Sequence, residues 1–109
     1  MSFFAEQTSV VDLGGGNTVT IRKLTFGQAV EINSKAYKSG TFDIFQHGLE
    51  RLVLSITAWE GSEFDGRPVS RKNIEALPSE VIRQVNDAIA KLNKDVDADE
   101  GNASGAATN

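Results

Sequence analysis

Seven large apolar residues, Phe42, Phe45, Leu49, Leu52, Val53, Ile56 and Trp59, recur at intervals of mostly three and four along one stretch of this chain. That spacing places them on one face of an α-helix, so it predicts a long amphipathic helix over about Phe42–Trp59 at the centre of the core. Leu54 lies off the stripe and widens it. Thr41 is the expected N-cap, and Asp43 falls in the first turn, where a carboxylate faces the positive end of the helix dipole. Gly48, inside the helix, costs about 1 kcal/mol relative to alanine, which points to close approach by a neighbouring element.

The segments around this helix build a small α+β domain, mainly α. Thr8–Leu13 and Thr18–Leu24 are rich in β-branched residues, and Val19 and Ile21 alternate with polar neighbours, the period-two pattern of a half-buried strand. Gly14-Gly15-Gly16-Asn17 between them reads as the four-residue loop of a β-hairpin. A lone hairpin is marginal in water, so one face must pack on helices. Thr25 caps a first helix over about Phe26–Lys38, with Phe26, Ala29, Val30, Ala36 and Tyr37 mainly on one side and Ile32 and Asn33 bordering it. Ser39-Gly40 is its expected stop.

Glu60–Val69 reads as a loop with an Asp65-Gly66 turn. Ser70 caps a short helix over Arg71–Leu77 that Pro78 ends. Ser79 is the expected cap of a last helix over about Glu80–Asn93, whose apolar face is Ile82, Val85, Ile89 and Leu92. The reading is therefore an N-terminal β-hairpin packed on three main helices plus one short one. Residues 1–7 form a flexible N-terminus, 8–94 a single domain and 95–109 a disordered acidic tail, whose composition cannot offset the entropy of ordering. Phe3 and Phe4 either dock on the domain's own core or engage another subunit.

Composition narrows the function classes. A chain of 109 residues with 39% hydrophobic and 24% charged residues has ordinary globular composition. A net charge of −4 argues against sequence-independent nucleic-acid binding, which needs clustered Lys and Arg. Cysteine is absent, which removes disulfides, a thiolate nucleophile and Cys-based zinc sites. No apolar run approaches the roughly 18–20 residues of a membrane helix. The first residues lack the basic and apolar regions of a signal peptide. A soluble cytoplasmic domain is expected.

The candidate chemistry is sparse. The triple glycine leads into a strand rather than a helix, and no Lys-Ser/Thr follows, so a hairpin loop explains it better than a phosphate cradle. His47 is the only histidine. It lies one turn after Asp43 and one before Arg51, where an intrahelical surface contact accounts for it. Glu60, Glu63 and Asp65 share a loop, but the twelfth position from Glu60 is Arg71, so the calcium-loop pattern fails. Trp59 has two readings, a plug at the end of the core or the edge of a partner groove. No catalytic, cofactor or metal site is expected.

The order hairpin, Leu24-Thr25-Phe26-Gly27-Gln28-Ala29 entry helix, Trp-ended apolar helix, Asp65-Gly66-Arg67-Pro68-Val69 turn and Asn73–Val81 segment before a terminal helix resembles the tail assembly chaperones of long-tailed, siphovirus-like bacteriophages. The resemblance covers about Val10–Leu92 and rests on turn and cap signals rather than a catalytic signature. It implies a non-enzymatic chaperone in the host cytoplasm that is absent from the mature virion, coats and solubilises the tape measure protein and helps recruit tail tube subunits. In many relatives a ribosomal frameshift appends a longer C-terminal extension, to which the segment from Asp95 would be a tether; an ordinary frayed terminus explains it equally. Helix-in-groove recognition suits such a client, with Ile56, Trp59, Val85 and Ile89 as the expected walls if the core does not consume them. Self-association is a further possibility. The rival readings are a structural tail or neck component of the virion and a small regulatory protein-binding module.

Overall fold

A computed structural model describes residues 2–94; the acidic segment from Asp95 lies outside the described residues. The two expected strands form, as β1 (Thr8–Gly14) and β2 (Asn17–Arg22). They pair antiparallel from Thr8↔Arg22 to Gly14↔Asn17, with a bulge between Asp12 and Gly14. The loop is therefore only Gly15-Gly16, both at positive φ, rather than the four residues expected. Two consecutive left-handed residues match the twist of a tight hairpin, and that geometry selects glycine.

The first helix, α1, spans Phe26–Ala36 and begins with a capping box: Thr25 Oγ1 accepts from Gln28 N, and Gln28 returns a bond to Thr25 N. It stops two residues earlier than its periodicity predicts. Tyr37–Lys38 (β3) instead pairs with Thr41–Phe42 (β4) around Ser39-Gly40, which have φ of 53° and 79°. The expected helix stop is thus a two-residue hairpin turn. Asp43, not Thr41, caps the next helix: its Oδ1 accepts from Phe45 N and Gln46 N at 3.0 and 3.1 Å. Asp43 N also donates to Ala36 O at 2.8 Å, which pins the start of this helix to the end of α1.

The largest departure from the sequence reading is the length of the second helix. It runs Ile44–Ser55 (α2), and Ile56–Glu60 then continues as a strand, β5. β5 joins the open edge of β2 antiparallel, pairing Thr18↔Glu60, Val19↔Trp59, Thr20↔Ala58 and Ile21↔Ile56. The hairpin is therefore part of a three-stranded sheet in the order β1-β2-β5. Ile-Thr-Ala-Trp satisfies either period over so few residues. The unpaired donors and acceptors of β2 decide between them, because pairing that edge satisfies backbone groups that a helix end leaves open. Thr57 is the extra residue at the register slip, and its Oγ1 donates to Thr20 O at 3.3 Å.

A 3₁₀ turn over Ser62–Phe64 leads to the short helix α3 (Arg71–Glu75) and to α4 (Ser79–Leu92). Ser70 caps α3 by accepting from Asn73 N at 3.1 Å. Ser79 is the first residue of α4, not its cap; Pro78 precedes it without a side-chain cap bond. Its fixed φ of −60° suits entry into a helix.

The core lies between the sheet and α4. β2 turns Asn17, Val19 and Ile21 inward, and Val19 and Ile21 join Val11, Leu52, Ile56, Phe64, Ile74, Val85 and Ile89 in one cluster. Full burial of such a side chain stabilises by about 1.5–3 kcal/mol. Ile32 and Ala36 of α1 are buried but outside this cluster. α1 packs on α2 rather than on the sheet, and that placement opens the cleft described next.

Candidate functional site

The residues expected to wall a partner groove are mostly consumed by the core. Ile56 retains 4% of its exposure, and Val85 and Ile89 retain none. Two causes combine. Ile56 is on β5, where its partner Ile21 points inward, and Val85 and Ile89 form the i,i+4 face by which α4 lies against β1 and β2. Trp59 is half-buried on the strand rather than at a helix end. Its ring stacks on Phe64 with centroids 4.8 Å apart and planes within 6°, and its Nε1–H donates to Arg67 O at 2.6 Å. Both polar and apolar parts of the indole are thereby used to hold the turn over residues 61–67.

The surface that is available lies elsewhere. Phe26 is 87% exposed, Phe45 86%, and Val30, Tyr37, Phe42 and Ile44 are all exposed. Phe26, Val30 and Tyr37 were expected on the apolar side of α1 but are exposed; of that side Ala36 is buried, together with Ile32 from its border. Phe42 and Phe45 were expected in the core stripe. The signal that could have separated them is the double apolar face of α1: Phe26 and Val30 lie one turn apart on one side, while Ile32 and Ala36 do so on another. A helix that is apolar on two sides has more apolar surface than one core contact can cover.

Of these exposed groups, Phe26 and Val30 border a cleft of about 390 Å³ between α1, α2 and the C-terminal end of α4. Phe26, Ala29, Val30 and Asn33 form the α1 wall, His47 and Arg51 the α2 wall, and Leu24, Thr25 and Asn93 close one end. The wall residues repeat at three and four positions, so each wall is a straight helical face. The aromatic surface is continuous with the cleft through His47. The Tyr37 and Phe42 rings are 5.1 Å apart, and the Phe42 and His47 rings are 5.5 Å apart. His47 therefore contacts Phe42 rather than serving only as a bridge between Asp43 and Arg51.

The end of the cleft is fixed by Asn93, which is buried. Its Oδ1 accepts from Leu24 N at 3.0 Å and its Nδ2 donates to Ile89 O at 2.8 Å. This one amide ties the last turn of α4 to the segment entering α1. The Arg51 guanidinium reaches only Asn86 Oδ1, at 3.5 Å, and its buried Nε has no hydrogen-bond partner among the described residues.

The other polar cluster is structural in its geometry. Glu50 on α2 is buried and accepts two bonds from Arg71 of α3 at 2.8 and 2.9 Å, a third from Gln46 at 2.6 Å, and lies 3.7 Å from Lys35 of α1. The Arg71 bond holds the carboxyl below its ordinary value. Burial opposes that shift, and Gln46 and Lys35 reinforce it. A group fixed in its charged form by three helices is a clasp, not a proton donor. Among the described residues no three of His, Cys, Asp and Glu gather where they would hold a metal ion, and no helix is long and apolar enough to cross a membrane. Phe3 and Phe4 are fully exposed, so they do not dock on the domain's own core.

Comparison with known protein families, characterised proteins and solved structures gave no match.

Proposed function

We propose that the chain is a non-enzymatic tail assembly chaperone of a long-tailed bacteriophage, which binds and solubilises the tape measure protein and helps recruit tail tube subunits. The observation that carries this reading is the exposed apolar face running from Tyr37 and Phe42 to Phe26 and Val30 across the cleft between α1 and α2. A domain this small has few large apolar groups to spare, and a contiguous apolar surface on it marks an interaction site. Helical walls with apolar residues one turn apart suit an amphipathic helix laid in the groove. Many weak sites along one long client gain by multivalency. The order of sequence motifs from Val10 to Leu92 supplies the phage context.

Under this reading the protein acts in the host cytoplasm and leaves before the virion matures. Co-expression with the tape measure protein from the same genome tests it. Soluble client should increase with the wild-type chain and not with Phe26→Ser. Stoichiometric amounts of the chain in purified particles would instead make it a structural component.

A further inference from the structure

We infer that the α1–α2 cleft selects helices carrying a carboxylate, which pairs with Arg51. The inference rests on the helix-binding reading above and adds the partner's charge. Arg51 lines a cleft whose neighbours are Phe26, Ala29, Val30 and Leu24, and no residue lining that cleft is acidic. The acids on the two helices that wall it are otherwise engaged: Glu50 with Arg71, and Glu31 with Lys35. Arg51 thus has no ion pair among the described residues, and its one side-chain bond, to a neutral amide, is long. An arginine held beside apolar surface has lost part of its hydration without gaining a counter-charge. A carboxylate arriving with a partner restores that balance and forms a charge-assisted, two-pronged bond.

Geometry limits what else the occupant is. A volume of about 390 Å³ is near the small end of ligand pockets, enough for a few side chains rather than a large cofactor. α1 has 11 residues, so its wall is about 16 Å long, three turns of a facing helix. The fitting partner is an amphipathic helix with apolar side chains at i, i+3 or i+4, and i+7, meeting Phe26, Val30 and Ala29. An Asp or Glu on the flank that faces α2 completes it.

Two synthetic helical peptides of about 15–20 residues, long enough to hold helix when bound, test this with the full-length protein. They are identical except for Glu or Gln at the flanking position, and binding is read by calorimetry. The Glu peptide should bind about tenfold more tightly than the Gln peptide, the worth of one hydrogen bond to a charged group. Arg51→Gln should bind the Glu and Gln peptides equally, and Phe26→Ser should weaken both; thermal melts of both variants establish that they fold. Equal binding of the two peptides to the wild-type protein overturns the carboxylate inference and leaves helix binding intact. Failure of both peptides, with client solubility still rescued in co-expression, places the client elsewhere and overturns the inference alone; failure of both assays removes the function with it. A dimer seen by sedimentation and lost in Phe26→Ser would make a second copy the occupant, and tighter Glu-peptide binding after removal of residues 95–109 would make the chain's own acids (Asp95, Asp97, Asp99, Glu100) the occupant. Either result overturns it.

Discussion

Two glycines predict opposite outcomes for the same chemical change. Gly61 has φ 131° and ψ 158°, a region that side chains essentially never occupy. A Cβ there would lie 2.7 Å from the Cα and 2.8 Å from the Cγ of Asn17, and would collide with its Oδ1. The Asn17 side chain cannot simply turn away, because its Oδ1 accepts from Glu63 N at 3.0 Å and its Nδ2 donates to Gly14 O at 3.0 Å. Gly61→Ala therefore combines about 1–3 kcal/mol of backbone strain, about 1–3 kcal/mol of overpacking and about 1 kcal/mol for a disturbed hydrogen bond. A midpoint of about 5 kcal/mol is a large part of the stability of a domain this size, about 0.05–0.15 kcal/mol per residue. At about 4–8 °C per kcal/mol, the melting temperature should fall by 20 °C or more.

Gly48 is the control. It lies inside α2 with nothing within 4 Å of an added Cβ, so the close approach expected from its position in the helix is not there. Gly48→Ala should stabilise by about 1 kcal/mol and raise the melting temperature by about 4–8 °C. Thermal melts by circular dichroism and urea titrations followed by the fluorescence of Trp59, the only tryptophan, measure both. A Gly61→Ala variant melting within about 4 °C of wild type would refute the packing argument. So would its rescue by Asn17→Ala, since the Cα that blocks the new methyl remains.

Three further outcomes follow from the same geometry. Trp59→Phe should cost about 1 kcal/mol for the lost bond to Arg67 O, and Trp59→Ala about 3 kcal/mol or more because the stack on Phe64 goes as well; equal urea midpoints for the two would contradict the role of the ring. Glu50 has its carboxyl lowered by Arg71, so its contribution is full above the ordinary value of 4.5 and fades as pH falls through the lower folded value. The stability difference between wild type and Glu50→Gln, about 1–2 kcal/mol at neutral pH given that Arg71 is half in solvent, should therefore shrink in acid, and a gap that widens there would be inconsistent with the clasp. Asn93→Ala should cost about 1–3 kcal/mol by leaving Leu24 N–H without its partner, and faster hydrogen exchange at Leu24 is the direct readout.

Features that residues specify locally are legible in the amino-acid sequence. The β1–β2 hairpin, the cap at Thr25, the short helix after Ser70 and the amphipathic α4 all depend on contacts within a few positions: alternation, capping side chains, left-handed glycines. The α+β class follows from them. Their ends are less legible. Asp43 and Thr41 are both competent caps, and only the pairing of Tyr37 with Phe42 around Ser39-Gly40 assigns the role to Asp43.

The site is the least legible part, because periodicity reports that a face is apolar and not what covers it. Phe26, Val30, Phe42 and Phe45 carry the same signature as Ile32 and Leu52, yet the first four are exposed and the last two buried. Ile56 and Trp59 continue the helical stripe in sequence but form a strand in space, since β2 offers an edge of unsatisfied backbone groups 35 or more residues away. The chain alone determined which segments are helix or strand where local bonds decide the matter, and that it carries more apolar surface than one small core needs. Tertiary packing decided which of that surface stays outside, because burial is shared among distant segments and each competes for the same few faces of one sheet.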